Sequence, residues 1–236
     1  GHPAAKAEKT EVVEPLPKEA MKDLQAELDS YIGLATVKEE VRNLINMASV
    51  YKLRRQHDLP TTDMSLHMVF TGNPGTGKTM MARMMARIYR SLDILSKGQL
   101  VEVDRSGLVA GYVGQTAIKT QKVIQKALGG VLFIDEAYAL NGKSENDFGQ
   151  EAIDTILKAM EDHRDELVVI LAGYTKEMET FLTANSGLAS RFPNRIEFPD
   201  YTAVELLQIT QVLAKNKGYT LAEACTEPLL GYYARW

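Results

Sequence analysis

The chain has 236 residues, 45% of them hydrophobic and 25% charged, with a net charge of −4. That length fits one large domain, or one domain and a fragment of a second. The acidic balance argues against a protein whose main task is gripping a nucleic-acid backbone, and the single cysteine, Cys225, excludes an internal disulfide.

Residues 1–17 are rich in Ala, Lys, Glu and Pro and read as a flexible lead-in. Gly1-His2-Pro3 does not open a signal peptide, and no run of about 18 apolar residues marks a membrane span, so a cytoplasmic protein without a membrane partner is expected. A helical pattern runs from Pro17 to about Leu28, and Tyr31-Ile32-Gly33 breaks it. A long amphipathic helix follows over about Thr36–His57, its apolar positions Val37, Val41, Leu44, Ile45, Ala48 and Tyr51 recurring at three and four residues. Strands are expected at Leu66–Thr71, Leu100–Val103, Val131–Ile134, Leu167–Ala172 and Ile196–Phe198. Helices are expected at Lys78–Ser91, Gln115–Leu128, Gln150–His163 and Lys176–Ala184. Loops fill Ser106–Gly114, Gly142–Gly149 and Asn185–Asn194. Strands that are unbroken apolar runs, alternating with helices, imply a five-stranded parallel sheet covered on both faces. After Asp200 only helices are expected, Ala203–Lys217 and Glu223 to the end. The domain boundaries therefore fall at 1–17, 18–200 and 201–236.

The chemistry begins at Gly72-Asn73-Pro74-Gly75-Thr76-Gly77-Lys78-Thr79. The pattern G-x-x-x-x-G-K-[ST], placed between an apolar strand and a helix, is a phosphate-binding P-loop. Its glycines free backbone N–H groups to wrap phosphates, and the following helix points its positive end at them. Lys78 is expected on the β and γ phosphates, and Thr79 on Mg²⁺. The strand Val131-Leu132-Phe133-Ile134 ends in Asp135-Glu136, which lies 57 residues after Lys78. Ligands of parallel sheets sit at the carboxyl ends of strands, so Asp135 is expected to hold Mg²⁺ and Glu136 to polarise the attacking water. Met80, Met81, Met84 and Met85 read mainly as flexible core filler. Cys225 reads as a small buried hydrophobe, and His2, His57, His67 and His163 lack metal-ligand spacing.

These two motifs resemble those of the AAA+ ATPases. The strings LSKGQLVEVDRSGLVAGYVGQTAIKT, LGGVLFIDEAYAL, FGQEAIDTILKAMED, VVILAGY and GLASRFPNRIEFPDYT are similar to the CbxX/CfqX family, its sporulation members above all. The family also holds Rubisco-activating and type VII secretion proteins. The resemblance implies an ATPase that binds ATP/ADP with Mg²⁺ and assembles into a ring of six. It implies that Tyr112, in Tyr112-Val113-Gly114, grips a protein client in the pore. It implies an arginine finger, Arg191, acting on a neighbour's nucleotide, with Arg195 a candidate for a second. Ile32, Gly33, Asn73, Pro74, Gly75, Thr76, Gly77, Lys78, Thr79 and Met80 are the expected nucleotide contacts. Where many AAA+ proteins end the fourth strand in a polar sensor this chain reads Ala172-Gly173-Tyr174-Thr175, leaving Tyr174, Thr175 or neither. The family's lid is longer than residues 201–236, so a partial lid is expected, with Arg235 a candidate for its sensor. Two other readings compete: a nucleotide-dependent switch or scaffold that threads nothing, and a nucleic-acid-linked loader, which the acidic balance disfavours.

Overall fold

A computed structural model describes residues 12–61, 64–142 and 147–235. The lead-in over residues 1–11, the centre of the polar loop at 143–146 and the terminal Trp236 lie outside the described residues. Five parallel strands form one sheet in the order β2-β3-β4-β1-β5: β1 Met68–Thr71, β2 Leu100–Val103, β3 Gly130–Ile134, β4 Leu167–Gly173 and β5 Asn194–Glu197. Met68 pairs with Ile170 of β4 on one side and Asn194 of β5 on the other.

Both faces of this sheet are buried, which is why its strands read as apolar runs rather than alternating ones. On one face Met68, Phe70, Phe133 and Ile170 pack under α1 (Met21–Ser30), α2 (Ala35–Gln56) and α3 (Lys78–Ser91). On the other, Val69, Leu132, Ile134 and Val169 pack under helices of the second half of the chain: α5 Gln115–Ala127, α6 Gly149–Asp162, α7 Thr175–Ala184 and α8 Ser186–Arg191. The six apolar positions expected on α2 are all buried. Emptying one such site, as in Phe133→Ala, removes a side chain with no exposed surface and costs about 3–5 kcal/mol.

Several expectations change in detail. The first helix begins at Met21, four residues later than its pattern suggested, because Pro17–Ala20 run extended along the body. Two expected loops contain short helices. The first is α4 (Arg105–Leu108), which starts where the Asp104 carboxylate accepts the Ser106 N–H at 3.0 Å. The second is α8, anchored by Leu188, which is 3% exposed. The fifth strand starts at Asn194, not Ile196, since Asn194 already pairs with Met68 and its amide donates to the Ser65 and His67 carbonyls. After β5 come α9 (Ala203–Asn216) and α10 (Thr226–Tyr233). Thr202 and Glu205 close a reciprocal capping box on α9. Cys225 is exposed, contrary to expectation, because it ends a single 3-10 turn on the surface before α10. No helix among the described residues is long and apolar enough to cross a membrane.

Candidate functional site

A cavity of about 870 Å³ opens at the carboxyl ends of β1, β3 and β4. Its polar wall holds Gly72, Pro74, Gly75, Gly77, Lys78 and Thr79 together with Asp135 and Glu136. The loop's shape follows from its glycines. Gly77 caps α3 with φ +96°, a left-handed conformation that favours glycine. A Cβ on Gly72, φ +143°, would collide with the Phe198 carbonyl. The loop is also braced from within. The buried Thr76 hydroxyl donates to the Asn73 carbonyl at 2.7 Å, and the Asn73 amide donates to Asp200 at 2.9 Å. Asn73 and Thr76 therefore frame the loop and do not line the cavity. Gly33 is likewise absent from the wall: it packs against the Glu205 carboxylate.

Lys78 donates to the Gly72 and Asn73 carbonyls at 2.7 and 2.8 Å. Burial lowers its pKa, and the Asp135 charge opposes that shift. Asp135 is held by its own N–H, which donates to the Val103 carbonyl at 2.8 Å. Its carboxylate accepts the Glu136 N–H at 2.9 Å. Glu136 is a non-glycine residue in the left-handed region, φ 49°, ψ 45°. Such a conformation costs roughly 1–2 kcal/mol and persists only where the surroundings enforce it; here a buried 3-10 turn, Ala137–Leu140, follows at once. Strain of this kind gathers at functional positions, and it turns Glu136 off the strand axis to the cavity rim.

The remaining wall is mostly apolar. Tyr31 and Ile32 come from the α1–α2 turn, and Met80 from α3, where Met81, Met84 and Met85 are fully buried. Tyr201 and the α9 residues Ile209, Val212, Leu213 and Asn216 were not foreseen. Sequence held only a weak signal for them, an apolar helix face with no stated partner. Tyr174 lines the cavity, beside Tyr138 at a ring separation of 6.3 Å, whereas Thr175 begins α7 and Arg235 lies exposed after α10.

The cavity suits a nucleotide triphosphate in shape and donor set. A glycine cradle and a lysine face two carboxylates, and an apolar slot lies alongside. The hydroxyl of Thr79 and the carboxylate of Asp135 are hard oxygen donors of the kind Mg²⁺ takes, usually with water completing its shell. Among the described residues, Lys78 is the one cation in the lining.

Arg191 is elsewhere. It borders a second cavity of about 470 Å³ at the amino ends of β1, β4 and β5. There its guanidinium donates to Glu161 at 2.8 Å and to the Gly187 carbonyl at 3.1 Å. The Ser65 hydroxyl donates to the Arg191 carbonyl at 3.0 Å. His67 lines the same cavity, its ring tilted at 49° to that of Phe192 with centroids 5.6 Å apart. Arg195 is exposed on β5. Tyr112 and Val113 form a third location, 78% and 86% exposed at the tip of the segment between α4 and α5. The base of that segment is tied down by the Thr120 hydroxyl on the Leu108 carbonyl and by Lys119 on the Ser106 and Val109 carbonyls.

Comparison with known proteins places this geometry. The model of the ATPase family associated with various cellular activities (AAA) matches residues 68–200. Stage V sporulation protein K of Bacillus subtilis is 42% identical over 212 residues, which cover 90% of this chain and 66% of that protein. The chloroplastic ribulose bisphosphate carboxylase/oxygenase activase of Cyanidioschyzon merolae is 46% identical, covering 92% of this chain and 74% of the activase. The plasmid-borne protein CbxX of Cupriavidus necator is 44% identical, covering 95% and 71%. A crystal structure of the FIGL-1 AAA domain in complex with ADP superposes with a TM-score of 0.55 at 21% identity, over 86% of this chain and 70% of that one, a likeness of fold.

Proposed function

The chain belongs to the AAA family of ATPases, and from that premise we propose that it hydrolyses Mg-ATP as one subunit of a ring, probing and remodelling a protein client. The observation that carries this is the separation of Arg191 from the nucleotide cavity. The two lie at opposite ends of the same parallel sheet. A triphosphate carries several negative charges, and among the described residues Lys78 is the one cation in the cavity lining to face them. Beyond Lys78 and Mg²⁺, a further positive group comes on this reading from the amino end of a neighbour's sheet, which a closed ring of head-to-tail subunits supplies.

Within one subunit the roles follow from placement. Lys78 exchanges its two backbone carbonyls for phosphate oxygens. Thr79 and Asp135 would hold Mg²⁺, which would supply positive charge to the phosphates there. Glu136 orients a water and accepts its proton. Arg191 of a neighbour stabilises the charge that builds on the leaving and transferred groups. Tyr112, presented on a braced but open segment, grips the client. The likeness to a Rubisco activase supports a client that is a protein.

The test is ATP turnover per subunit against protein concentration, with Mg²⁺ present. A rate that climbs with concentration, and that Arg191→Ala subunits poison when mixed in, is the expected result. A flat rate with ATP still bound overturns assembly as the source of activity. Tyr112→Ala separates threading from mere switching: basal turnover persists, while stimulation by casein, an unfolded model client, is lost.

A further inference from the structure

The residues that bring α1 to the cavity are fastened to α3 by an arrangement that the P-loop motif does not explain. Arg87 lies on α3, nine residues after Lys78 and roughly 14 Å along the axis. Its guanidinium forks onto Glu19, Nε to Oε2 at 2.9 Å and Nη2 to Oε1 at 2.7 Å. The third nitrogen, Nη1, pairs with Glu27. Around it the same chain segment is clipped repeatedly to the end of α3 and to the loop before β2. The Glu19 N–H donates to the Ser91 hydroxyl at 3.0 Å, Arg90 Nε to the Leu16 carbonyl at 2.7 Å, and the Leu16 N–H to the Lys97 carbonyl at 2.8 Å. Glu27 itself, with Ser30, Tyr31 and Ile32, lines the nucleotide cavity.

We infer that Arg87 is a positioning residue, which sets the distance between the phosphate loop and the α1–α2 wall and so fixes the fit of the nucleoside part of ATP. Two facts favour positioning over simple attachment. Leu24 and Leu28 are 1% and 0% exposed, so α1 remains docked by its apolar face without Arg87. What Arg87 adds is a bidentate grip on Glu19, just ahead of α1, and a contact with Glu27 near the end of α1 that turns into the cavity, both from the very helix whose first residues line the phosphate loop. A rigid helix carrying both ends of the site keeps them in register. The inference rests on the nucleotide reading of the cavity given above.

Calorimetric titration with Mg-ATP and with inorganic tripolyphosphate, which lacks base and ribose, tests it. Arg87→Met keeps the apolar stem and removes the fork. Affinity for ATP should fall about tenfold or more, a loss of about 1.4 kcal/mol per decade, while affinity for tripolyphosphate stays within twofold. Arg87→Lys, which can hold one carboxylate, should recover part of the loss. Should Arg87→Met fail to fold, Glu19→Gln removes the bidentate partner without touching α3, and the same split is expected. Unchanged ATP affinity, or parallel loss of both ligands, overturns the role of Arg87. Lys78→Ala should weaken both ligands; if it weakens neither, the cavity is not the nucleotide site and both readings fall.

Discussion

The two ends of the sheet are built differently. At the carboxyl end the cavity is made largely by backbone: a glycine loop, the start of α3, and a glutamate forced into a left-handed turn. Its side chains come from contiguous motifs, and each motif brings its own support. At the amino end the second cavity is made by long charged side chains, Arg55, Arg164 and Arg191 with Glu161 and Asp165, drawn from α2, α8 and the end and flank of α6. Their supports are remote in sequence, such as Ser65 on the Arg191 carbonyl and Tyr51 on Asp165 at 2.6 Å. A backbone site is pre-formed and tolerant of its surroundings. A side-chain site is adjustable, which would suit the proposed meeting of Arg191 with a nucleotide held by another subunit.

Substitutions at each end should separate these properties. Arg191→Ala should lower turnover about 10³-fold, the size seen for transition-state arginines, with ATP affinity of the isolated subunit unchanged. A matching loss of ATP affinity, measured by titration, would place Arg191 in the subunit's own site and break the contrast. Glu136→Gln, at the other end, should cut turnover about 10²-fold or more and leave ATP bound. Turnover near the wild-type rate would remove Glu136 from the chemistry.

His67 gives a pH test of the amino end alone. Burial, and then the Arg164 charge, lower its pKa to about 4. In the unfolded chain an imidazole titrates near 6.5. Between those values the unfolded chain takes up the proton and the folded one does not, so stability is full above about pH 6.5 and is lost as pH falls toward 4. The limit is about 3 kcal/mol, reduced because the ring edge borders the cavity. His67→Gln, which can still accept the Val169 N–H that Nδ1 accepts at 3.0 Å, should flatten this slope in urea melts taken at several pH values. An unaltered slope would locate the acid sensitivity elsewhere. The smallest effect is expected for Ser65→Ala, about 1 kcal/mol for the hydrogen bond to the Arg191 carbonyl. On the trans reading it should also lower turnover in the assembled protein, because that carbonyl fixes the backbone from which the guanidinium reaches out.

Much of the carboxyl end was legible beforehand. Gly72–Thr79 and Asp135-Glu136 are contiguous patterns whose chemistry depends on local backbone, and their flanking apolar runs located β1, α3 and β3. The five strands and the burial of both sheet faces followed from runs such as Val131–Ile134. Less was legible where a residue's role depends on what arrives from far along the chain. Nothing local in Tyr201 or in Ile209, Val212 and Leu213 of α9 says that they close over the phosphate loop. Nothing in Asn73 says that its amide turns to Asp200, away from the cavity. Cys225 looked like a core residue by type and lies on the surface.

The sequence by itself determined the nucleotide chemistry and the class of sheet, since glycine conformations, a lysine at a helix start and apolar periodicity act over a few residues. Tertiary structure alone decided that Arg191 and the cavity stand at opposite ends of that sheet, and that Glu19 and Glu27 reach across to Arg87. Those relations are set by how helices pack on a twisted sheet, where residues separated by 30 to 130 positions become neighbours only when the whole core forms.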